Sequence, residues 1–292
     1  MSNSQSYSSN SVDLEYTSSK PRNWMGSLLT GLAFAFLGLA LLPLALVIVY
    51  VFLKGVNRLN WALFTELPPP PLQSGGGVGH AIIGTLMLVA IAAVMSIPTG
   101  ILGGIYLSEF SDPRWGRWIR FAANILSGVP SIIMGIFAYG VIVVTMDSYS
   151  AIAGGFALAI LMLPIVVRTT DEALQLVDKE VRWASVGVGA SNFHTVLYIV
   201  LPTALPGILT GTTLAVARAA GETAPLIFTV LYSQFWPEGL FSPVPSLSVL
   251  IYNFATVPYD NQRELAWAAS LILVSLVLLT SIISRLATGK QK

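Results

Sequence analysis

Long stretches of this sequence contain no charged residue, and they restrict the possible folds more than any other feature. An α-helix needs about 20 apolar residues to cross the hydrocarbon core of a bilayer. Only 10% of the residues are charged, whereas 54% are hydrophobic. The composition excludes an ordinary soluble domain and predicts an all-α membrane protein. Cysteine is absent, so neither disulfide nor thiol chemistry is available.

Six apolar segments are long enough to be membrane-spanning helices. They lie at about residues 27–53, 81–107, 121–146, 151–167, 205–231 and 265–283. The predicted organisation is a serine-rich, disordered cytoplasmic extension over residues 1–25, a six-helix transmembrane domain over residues 26–286 and a short tail over residues 287–292. Proline and glycine clusters interrupt several segments, and packing through small residues is their simplest explanation.

The lysines and arginines are unevenly distributed among the segments, which predicts an orientation. Eleven of the 15 fall on the side of the N-terminus, three fall on the other side, and Arg218 lies within a span. Cytoplasmic loops carry the excess of basic residues, so both termini are predicted to be cytoplasmic. The first outer loop has four prolines followed by three glycines, which suits a hinged lid, a docking surface or a plain connector.

Two charged residues, Arg218 and Glu222, fall in the middle of the fifth apolar segment. Each costs about 2.5–3.5 kcal/mol at the centre of a membrane helix. Their spacing places both on one helix face, where they partly neutralise each other. Three interpretations remain open: a structural ion pair, a guanidinium that attracts an anion and is held by the carboxylate when the path is empty, and a gate that exchanges partners without contacting the anion.

The inner segment of residues 168–202 is too long for a tight turn and predicts a helix–turn–helix elbow. Thr169 and Glu172 have the spacing of a capping box, so a helix is predicted to begin there. Ser191 is predicted to cap a second helix that ends at Pro202.

This elbow resembles that of the permease subunits of bacterial ABC importers. Their pattern is Glu-Ala-Ala, three residues, Gly, nine residues, Ile, one residue and Leu-Pro, to which correspond Trp183, Ala184, Ser185, Gly189, Ile199, Leu201 and Pro202. In that family the elbow is the coupling helix that docks into a groove on the ATPase subunit. Because Trp183 replaces the family's glutamate, Glu180 and Arg182 become candidates to supply the missing charge.

Three further stretches resemble the PstA-type permeases of phosphate importers, a family with a MetI-like six-helix core. They are residues 79–110, Gly128-Val129-Pro130-Ser131-Ile132 and Arg218-Ala219-Ala220-Gly221-Glu222-Thr223-Ala224-Pro225. The resemblance covers residues 27–283, and its last stretch is the most specific. It implies a translocation path at Arg218, Glu222 and Thr223. It also implies a permease signature at Gly128, Val129, Pro130 and Ser131, and ATPase coupling through Glu180, Arg182, Trp183, Ala184, Ser185 and Gly189.

The resemblance implies a multi-pass transport subunit of the bacterial cytoplasmic membrane that imports phosphate by alternating access. Its implied partners are a second, PstC-like permease, two copies of a PstB-like cytoplasmic ATPase and an external PstS-like phosphate-binding protein, with no nucleic acid among them. ATP and Mg²⁺ are expected to be used by the ATPase. No cofactor is expected on this chain, and Gly289-Lys290 lacks the following serine or threonine of a P-loop.

Other functions remain open on the sequence. A permease for sulfate or molybdate is the nearest alternative, and a self-sufficient secondary anion transporter or channel is a second. A membrane-embedded enzyme is disfavoured, because no catalytic groups converge. His80 and His194 are predicted on opposite sides of the membrane, so no metal site is expected.

Overall fold

The computed structural model describes residues 21–289, and the regular secondary structure in that range is helical. In chain order the α-helices of the described residues are α1 (Pro21–Gly55), α2 (Trp61–Thr65), α3 (Gly79–Ile105), α4 (Pro113–Gly128), α5 (Ser131–Ala138), α6 (Val144–Met146), α7 (Ala151–Gln175), α8 (Lys179–Gly187), α9 (Asn192–Thr195), α10 (Leu201–Gly221), α11 (Ala224–Thr229), α12 (Leu247–Ala255) and α13 (Asp260–Gly289). Residues 1–20 of the predicted extension and residues 290–292 of the tail lie outside the described residues.

Three π-helical turns directly adjoin these α-helices and extend or join them. They are Tyr106–Phe110, which ends α3, Tyr139–Val143, which joins α5 to α6, and Val196–Val200, which joins α9 to α10. A π-turn widens the helix by one residue and leaves carbonyl groups in changed positions, and such turns are frequent at functional sites.

Five helices in the described range are long and apolar enough to cross a membrane. They are Trp24–Arg58, Gly79–Phe110, Ala151–Gln175, Asn192–Ala220 and Asp260–Ile283. A sixth span is obtained if Pro113–Gly128 and Ser131–Met146 are counted together. The prediction of an all-α polytopic membrane protein is therefore confirmed.

The chain divides between Tyr50 and Val51 into two units, and the first contains most of α1. Every side chain from residue 24 to residue 50 is exposed, and most of them are apolar. A helix that is apolar on all sides is typical of a membrane span. Pro43 lies inside α1, and the helix continues through it.

The third predicted span, residues 121–146, is not one straight helix. It begins earlier, at Pro113, and bends by 99° between α4 and α5. Val129 is extended, with φ −71° and ψ 132°, and Pro130 precedes the first residue of α5. The break has a local cause, because proline disfavours the helical conformation of the residue before it.

Two predicted helix ends in the inner segment are wrong. Helix α7 runs to Gln175 without a new start at Thr169. The Thr169 hydroxyl donates to the Ile165 carbonyl 2.9 Å away, which is the bond of a threonine inside a helix, not of a cap. The helix that follows Ser191 does not end at Pro202 but continues to Gly221, because the π-turn Val196–Val200 precedes the proline and the helix continues through it.

Helices α3 and α7 pack closely through small residues. A Cβ at Gly100 would lie 2.7 Å from the Val166 Cβ, and one at Gly104 would lie 2.6 Å from the Thr170 Cβ. These distances are shorter than two side chains can approach, so glycine is required for the contact. The prediction that the glycines of the second segment serve packing is confirmed at both positions.

The segment of residues 234–262 contains α12, which is fixed to α3 by Thr85. The buried Thr85 hydroxyl oxygen accepts the Leu247 N–H at 2.8 Å. Leu247 is at the first turn of α12, where backbone N–H groups lack a partner within the helix. Leu247 and Leu250 also pack with Leu265 in one apolar cluster, so α12 is part of the core.

We expect Thr85→Val to lower the free energy of unfolding by about 1–3 kcal/mol, because the buried Leu247 N–H loses its acceptor while the side-chain shape is kept. Thermal unfolding of the purified protein in detergent measures the effect. Thr99→Val is the matched control, since the exposed Thr99 hydroxyl donates to the Met95 carbonyl of its own helix. Equal shifts for the two variants would contradict this prediction.

The loop with four prolines is tied down by backbone contacts. A Cβ at Gly76, where φ is +71°, would lie 2.4 Å from the Pro69 Cδ, and one at Gly77 would lie 2.3 Å from the Ala62 carbonyl oxygen. The Gly77 N–H also donates to the Leu67 carbonyl at 3.0 Å. Gly76 and Gly77 therefore lie where a side chain would not fit, and the glycine hinge stays a prediction.

Candidate functional site

Helix α10 ends at the centre of the most specific sequence stretch. Gly221 is its last residue, and Glu222 is extended, with φ −71° and ψ 130°. The next helix, α11, begins with Ala224 and Pro225, and proline is tolerated in the first turn because the N–H that it lacks would have no partner within the helix. The Ser248 hydroxyl of α12 donates to the Glu222 carbonyl at 2.8 Å, which satisfies an acceptor that the break leaves without a helix partner.

Arg218 and Glu222 form a loose ion pair across this break. The Arg218 Nε lies 3.5 Å from the Glu222 Oε1, and the side chains are 49% and 16% exposed. A second arginine, Arg120, holds Asp171 at 2.7 and 2.9 Å with two nitrogens, the bidentate geometry of a strong structural pair. Among residues 21–289, the guanidinium of Arg218 has this one long contact, so most of its N–H groups are available to another acceptor.

The breaks at Val129 and at Glu222 agree at their first residue and differ at their second, since Pro130 has ψ 134° and Thr223 has ψ −47°. Val129 and Glu222 have dihedral angles within a few degrees of each other. Each is followed by a short helix, α5 or α11. The signature residues Gly128 and Pro130 are exposed, and Val129 and Ser131 are half-buried.

The structure brings the two breaks onto neighbouring helices. A Cβ at Gly135 of α5 would lie 2.5 Å from the Pro225 Cα and 3.0 Å from the Pro225 carbonyl oxygen of α11. Only glycine allows the two backbones to meet this closely. Nothing lies within 4 Å of a Cβ at Gly128 or Gly221, so both helix ends face open space.

The elbow consists of α8 and α9. Asp178 precedes α8, and the Ser191 hydroxyl oxygen accepts the His194 N–H at 3.3 Å, which confirms its predicted role as a cap. Gly189, with φ +95°, allows the turn between the helices. The buried hydroxyls of Ser185 and Thr195 are 2.8 Å apart and hold the two helices together.

The elbow exposes large apolar side chains. Trp183 is 70% exposed and Val188 is 86% exposed, and Val186 beside them is half-exposed. Glu180 and Ala184 are exposed as well. An apolar patch with a central tryptophan is typical of a protein–protein contact.

The sequence matches the family model described as "Binding-protein-dependent transport system inner membrane component" over residues 96–290. This match includes both helix breaks and the elbow. The chain belongs to this family.

Curated relatives of this permease carry a more specific name. The "Phosphate transport system permease protein PstA" of Yersinia pestis is 43% identical over 82% of this chain and 81% of its own length. The protein of the same name from Haemophilus influenzae is 38% identical over 93% of this chain and 96% of its own length. "PstA 1" of Mycobacterium tuberculosis is 37% identical over 88% of this chain. The resemblance to PstA-type permeases is therefore confirmed.

Solved structures of ABC importers share the fold of this permease. A chain of a bacterial transporter that imports the acidic polysaccharide alginate covers 93% of this chain with a TM-score of 0.63 and 12% identity. A chain of the methionine transporter MetNI, in an inward-facing conformation, covers 73% with a TM-score of 0.58 and 19% identity. These likenesses confirm the MetI-like permease core.

Arg182, predicted to supply the charge missing at Trp183, does not face outwards. Its guanidinium binds the Glu109 carboxylate and donates to the Leu174 carbonyl at 2.6 Å. The predicted coupling residues differ in exposure. Glu180, Trp183 and Ala184 are exposed, whereas Arg182 is half-buried and Ser185 is buried. Trp183 lines a cavity together with Arg182 and Glu109.

Two ion pairs near the elbow were missed by the sequence reasoning. Glu109 pairs with Arg182, and Arg120 pairs with Asp171. The partners are 73 and 51 positions apart in the chain, so no local spacing indicated them. The one available signal was that Glu109 and Asp171 are carboxylates at the ends of apolar segments, where a charge without a partner is costly.

Proposed function

We propose that this permease imports inorganic phosphate across the bacterial cytoplasmic membrane, with both termini in the cytoplasm. It pairs with a second, PstC-like permease, and the path lies between the two. Two copies of a PstB-like ATPase bind on the cytoplasmic side, and a PstS-like protein delivers phosphate from outside. The names of the relatives support the substrate, and the loose Arg218–Glu222 pair across the break between α10 and α11 carries the assignment of the path.

In this proposal Arg218 is the group that attracts the anion. A guanidinium offers planar, two-pronged hydrogen bonding that matches phosphate oxygens. Glu222 balances its charge in the empty path, which lowers the cost of keeping an arginine at this depth. Because the resting contact is a single one of 3.5 Å, an incoming phosphate competes with it easily.

Thr223 and the signature residues shape the surroundings of this arginine. Thr223 is half-buried in the break directly after Glu222, and the Gly135–Pro225 contact holds α5, which follows the α4–α5 break, against α11. Irregular backbone at membrane depth is tolerated where it lines a cavity or is buried in protein. In this proposal the two breaks supply backbone polar groups along the path.

The energy for transport comes from the ATPase, which uses ATP and Mg²⁺, and the elbow transmits it. The exposed apolar side of α8 fits a groove by shape, and Trp183 is its largest side chain. Closing of the two ATPase copies moves the elbow, the helices open outwards, and phosphate enters from the binding protein. Reversal of that motion releases phosphate into the cytoplasm.

We expect Trp183→Ala to weaken ATPase binding by about 2 kcal/mol, roughly 30-fold in affinity, because a central tryptophan anchors such contacts. The measurement is the amount of ATPase that co-purifies with the permease pair. Trp115→Ala on α4 is the matched control, since Trp115 is 69% exposed and outside the elbow. Unchanged co-purification of Trp183→Ala would remove the docking role from this side chain.

Reconstitution tests the proposed function. The complete complex in liposomes is expected to accumulate phosphate only with ATP inside and the loaded binding protein outside, and phosphate-loaded binding protein is expected to stimulate ATP hydrolysis. Sulfate and molybdate are offered in parallel. Accumulation of either in place of phosphate would assign another oxyanion, and uptake by this chain alone under an ion gradient would refute an importer.

A further inference from the structure

The inner side of the elbow is fixed to the bundle by one arginine. Arg182 binds the Glu109 carboxylate through Nη1, and its Nη2 donates to the Leu174 carbonyl at 2.6 Å. The second carboxylate oxygen of Glu109 accepts the Ser108 hydroxyl at 3.0 Å. The Glu109 side chain is 7% exposed, so both of its oxygens are satisfied in a nearly closed site.

Glu109 lies on the π-helical turn that ends α3, and this turn is held from a second direction. The Leu107 carbonyl accepts the Arg120 Nη2 at 3.1 Å, and Arg120 in turn holds Asp171 of α7. One arginine therefore fixes the end of α3 to α4 and α7. The other, Arg182, fixes the same turn to α8.

Within the part of the chain that the structure describes, Arg182 is the one side chain of α8 that forms hydrogen bonds to helices outside the elbow. The Ser185 hydroxyl bonds to Thr195, which belongs to the elbow itself. Apolar contacts let helices slide by small amounts, whereas a charge-assisted, two-nitrogen contact resists displacement in every direction. A nearly buried pair also resists opening, because separation leaves a charge without a partner.

A series of close helix contacts connects this turn to Arg218. Helix α3 meets α7 through Gly100 and Gly104, which allow no gap between the two helices. Helix α7 meets α10 just as closely, because a Cβ at Gly211 would lie 2.2 Å from the Thr169 Oγ1. Helix α10 then ends at the Arg218–Glu222 break. Close-packed helices transmit a shift because the interior does not compress.

We propose that Glu109 and Arg182 form the joint that passes elbow motion into α3, and that this joint stays closed throughout the transport cycle. In this proposal both are positioning residues, because they act by holding α8 against the end of α3. The inference rests on the proposed function of the chain as an ATP-driven permease. It assigns the mechanical link to the nearly buried Glu109–Arg182 pair, whereas the exposed Trp183 beside it serves docking.

The first test removes the charge of either partner, and at Glu109 it also keeps the shape of the side chain. Glu109→Gln and Arg182→Gln are compared in the complete reconstituted complex with Glu172→Gln. Glu172 is the control because its exposed carboxylate pairs with Arg168 on α7, and no contact joins it to the elbow. We expect the joint variants to assemble and hydrolyse ATP, with phosphate imported per ATP reduced about 2- to 30-fold. An unchanged ratio in assembled Glu109→Gln complex would overturn the proposal.

The second test rebuilds the joint with a covalent link and also serves if the first variants fail to assemble. The chain contains no cysteine, so Glu109→Cys and Arg182→Cys together introduce its only two thiols. We expect poor coupling before bridging by a short bifunctional maleimide and recovered coupling after it, with neither single variant recovering. A bridged complex that remains uncoupled would overturn the proposal of a joint that stays closed.

Failure of this inference is distinguishable from failure of the proposed function. If the unsubstituted complex transported another oxyanion, the same ratio would be measured with that anion. Stimulation of ATP hydrolysis by the loaded binding protein gives a second readout that needs no assumption about the substrate. The joint variants are expected to lose this stimulation while basal hydrolysis continues, and retained stimulation would count against the joint.

Discussion

Arg218→Ala is expected to abolish phosphate uptake while complex assembly and basal ATP hydrolysis remain measurable. The substitution removes the half-exposed guanidinium and leaves Glu222 as a single negative charge in the path. A carboxylate alone repels phosphate, so the barrier to its passage rises instead of falling. Because the pair has one 3.5 Å contact, its loss has a smaller structural effect than loss of the bidentate Arg120–Asp171 pair would have.

The measurement is uptake of labelled phosphate into liposomes, with ATP hydrolysis and complex yield recorded for the same sample. Arg263→Ala is the control, since its exposed side chain pairs with Asp260 at the start of α13, away from both breaks. Wild-type uptake by purified Arg218→Ala complex would rule out both the anion contact and the gate.

A charge reversal separates the remaining interpretations. Arg218→Glu with Glu222→Arg keeps a pair at the same two positions and changes the place of the positive charge. If recognition depends on the position of the guanidinium, uptake stays absent. Restored uptake would instead favour pairing as the role of these residues, as in a gate.

Gly135→Ala is expected to prevent correct assembly of the permease. Its Cβ would lie 2.5 Å from the Pro225 Cα and 3.0 Å from the Pro225 carbonyl oxygen, and backbone atoms cannot move aside as a flexible side chain can. Overpacking usually costs about 1–3 kcal/mol, and contact with backbone places this substitution at or above the upper value. Separation of α5 from α11 also displaces the break that carries Glu222.

Yield of the assembled complex and its thermal unfolding midpoint measure the effect. Gly140→Ala is the matched control, because it lies five residues further along the same bent helix with nothing within 4 Å of its Cβ position. The two variants add the same methyl group, which meets the Pro225 backbone at Gly135 and open space at Gly140. Similar yields and midpoints for both would show that the α5–α11 approach is not required.

The membrane spans were predictable because their signal is local. Charge-free stretches of sufficient length gave four of the spans nearly as the structure has them, at residues 27–53, 81–107, 151–167 and 265–283. Their interior prolines Pro43, Pro98 and Pro164 leave the helices unbroken. Hydrophobicity and length determine such elements whatever the rest of the chain does.

The break at Glu222 was not predictable from the same pattern. The four-residue spacing of Arg218 and Glu222 fits a continuous helix, and the residues do pair, but across the end of α10. What makes the end tolerable is Ser248, 26 residues away, which donates to the freed Glu222 carbonyl. A hydrogen bond between distant segments leaves no periodic signal in the sequence.

The elbow contains one feature that the sequence predicted correctly and two that it did not. Its cap at Ser191 was predicted from a residue preference that acts locally. The capping-box spacing of Thr169 and Glu172 was misleading, because Thr169 bonds backwards within α7 and Glu172 pairs with Arg168. The inward direction of Arg182 depends on Glu109, which only the folded chain brings near.

The loop with four prolines lies at the opposite end of α3 from Glu109. The packing of this loop affects how a partner would recognise that end of the protein. Gly76 and Gly77 are already closely packed there, so a binding partner would not have to offset the roughly 1–2 kcal/mol of backbone entropy that ordering each of them would cost. Encounter there is therefore expected to be limited by diffusion and surface charge, with no slow rearrangement before capture.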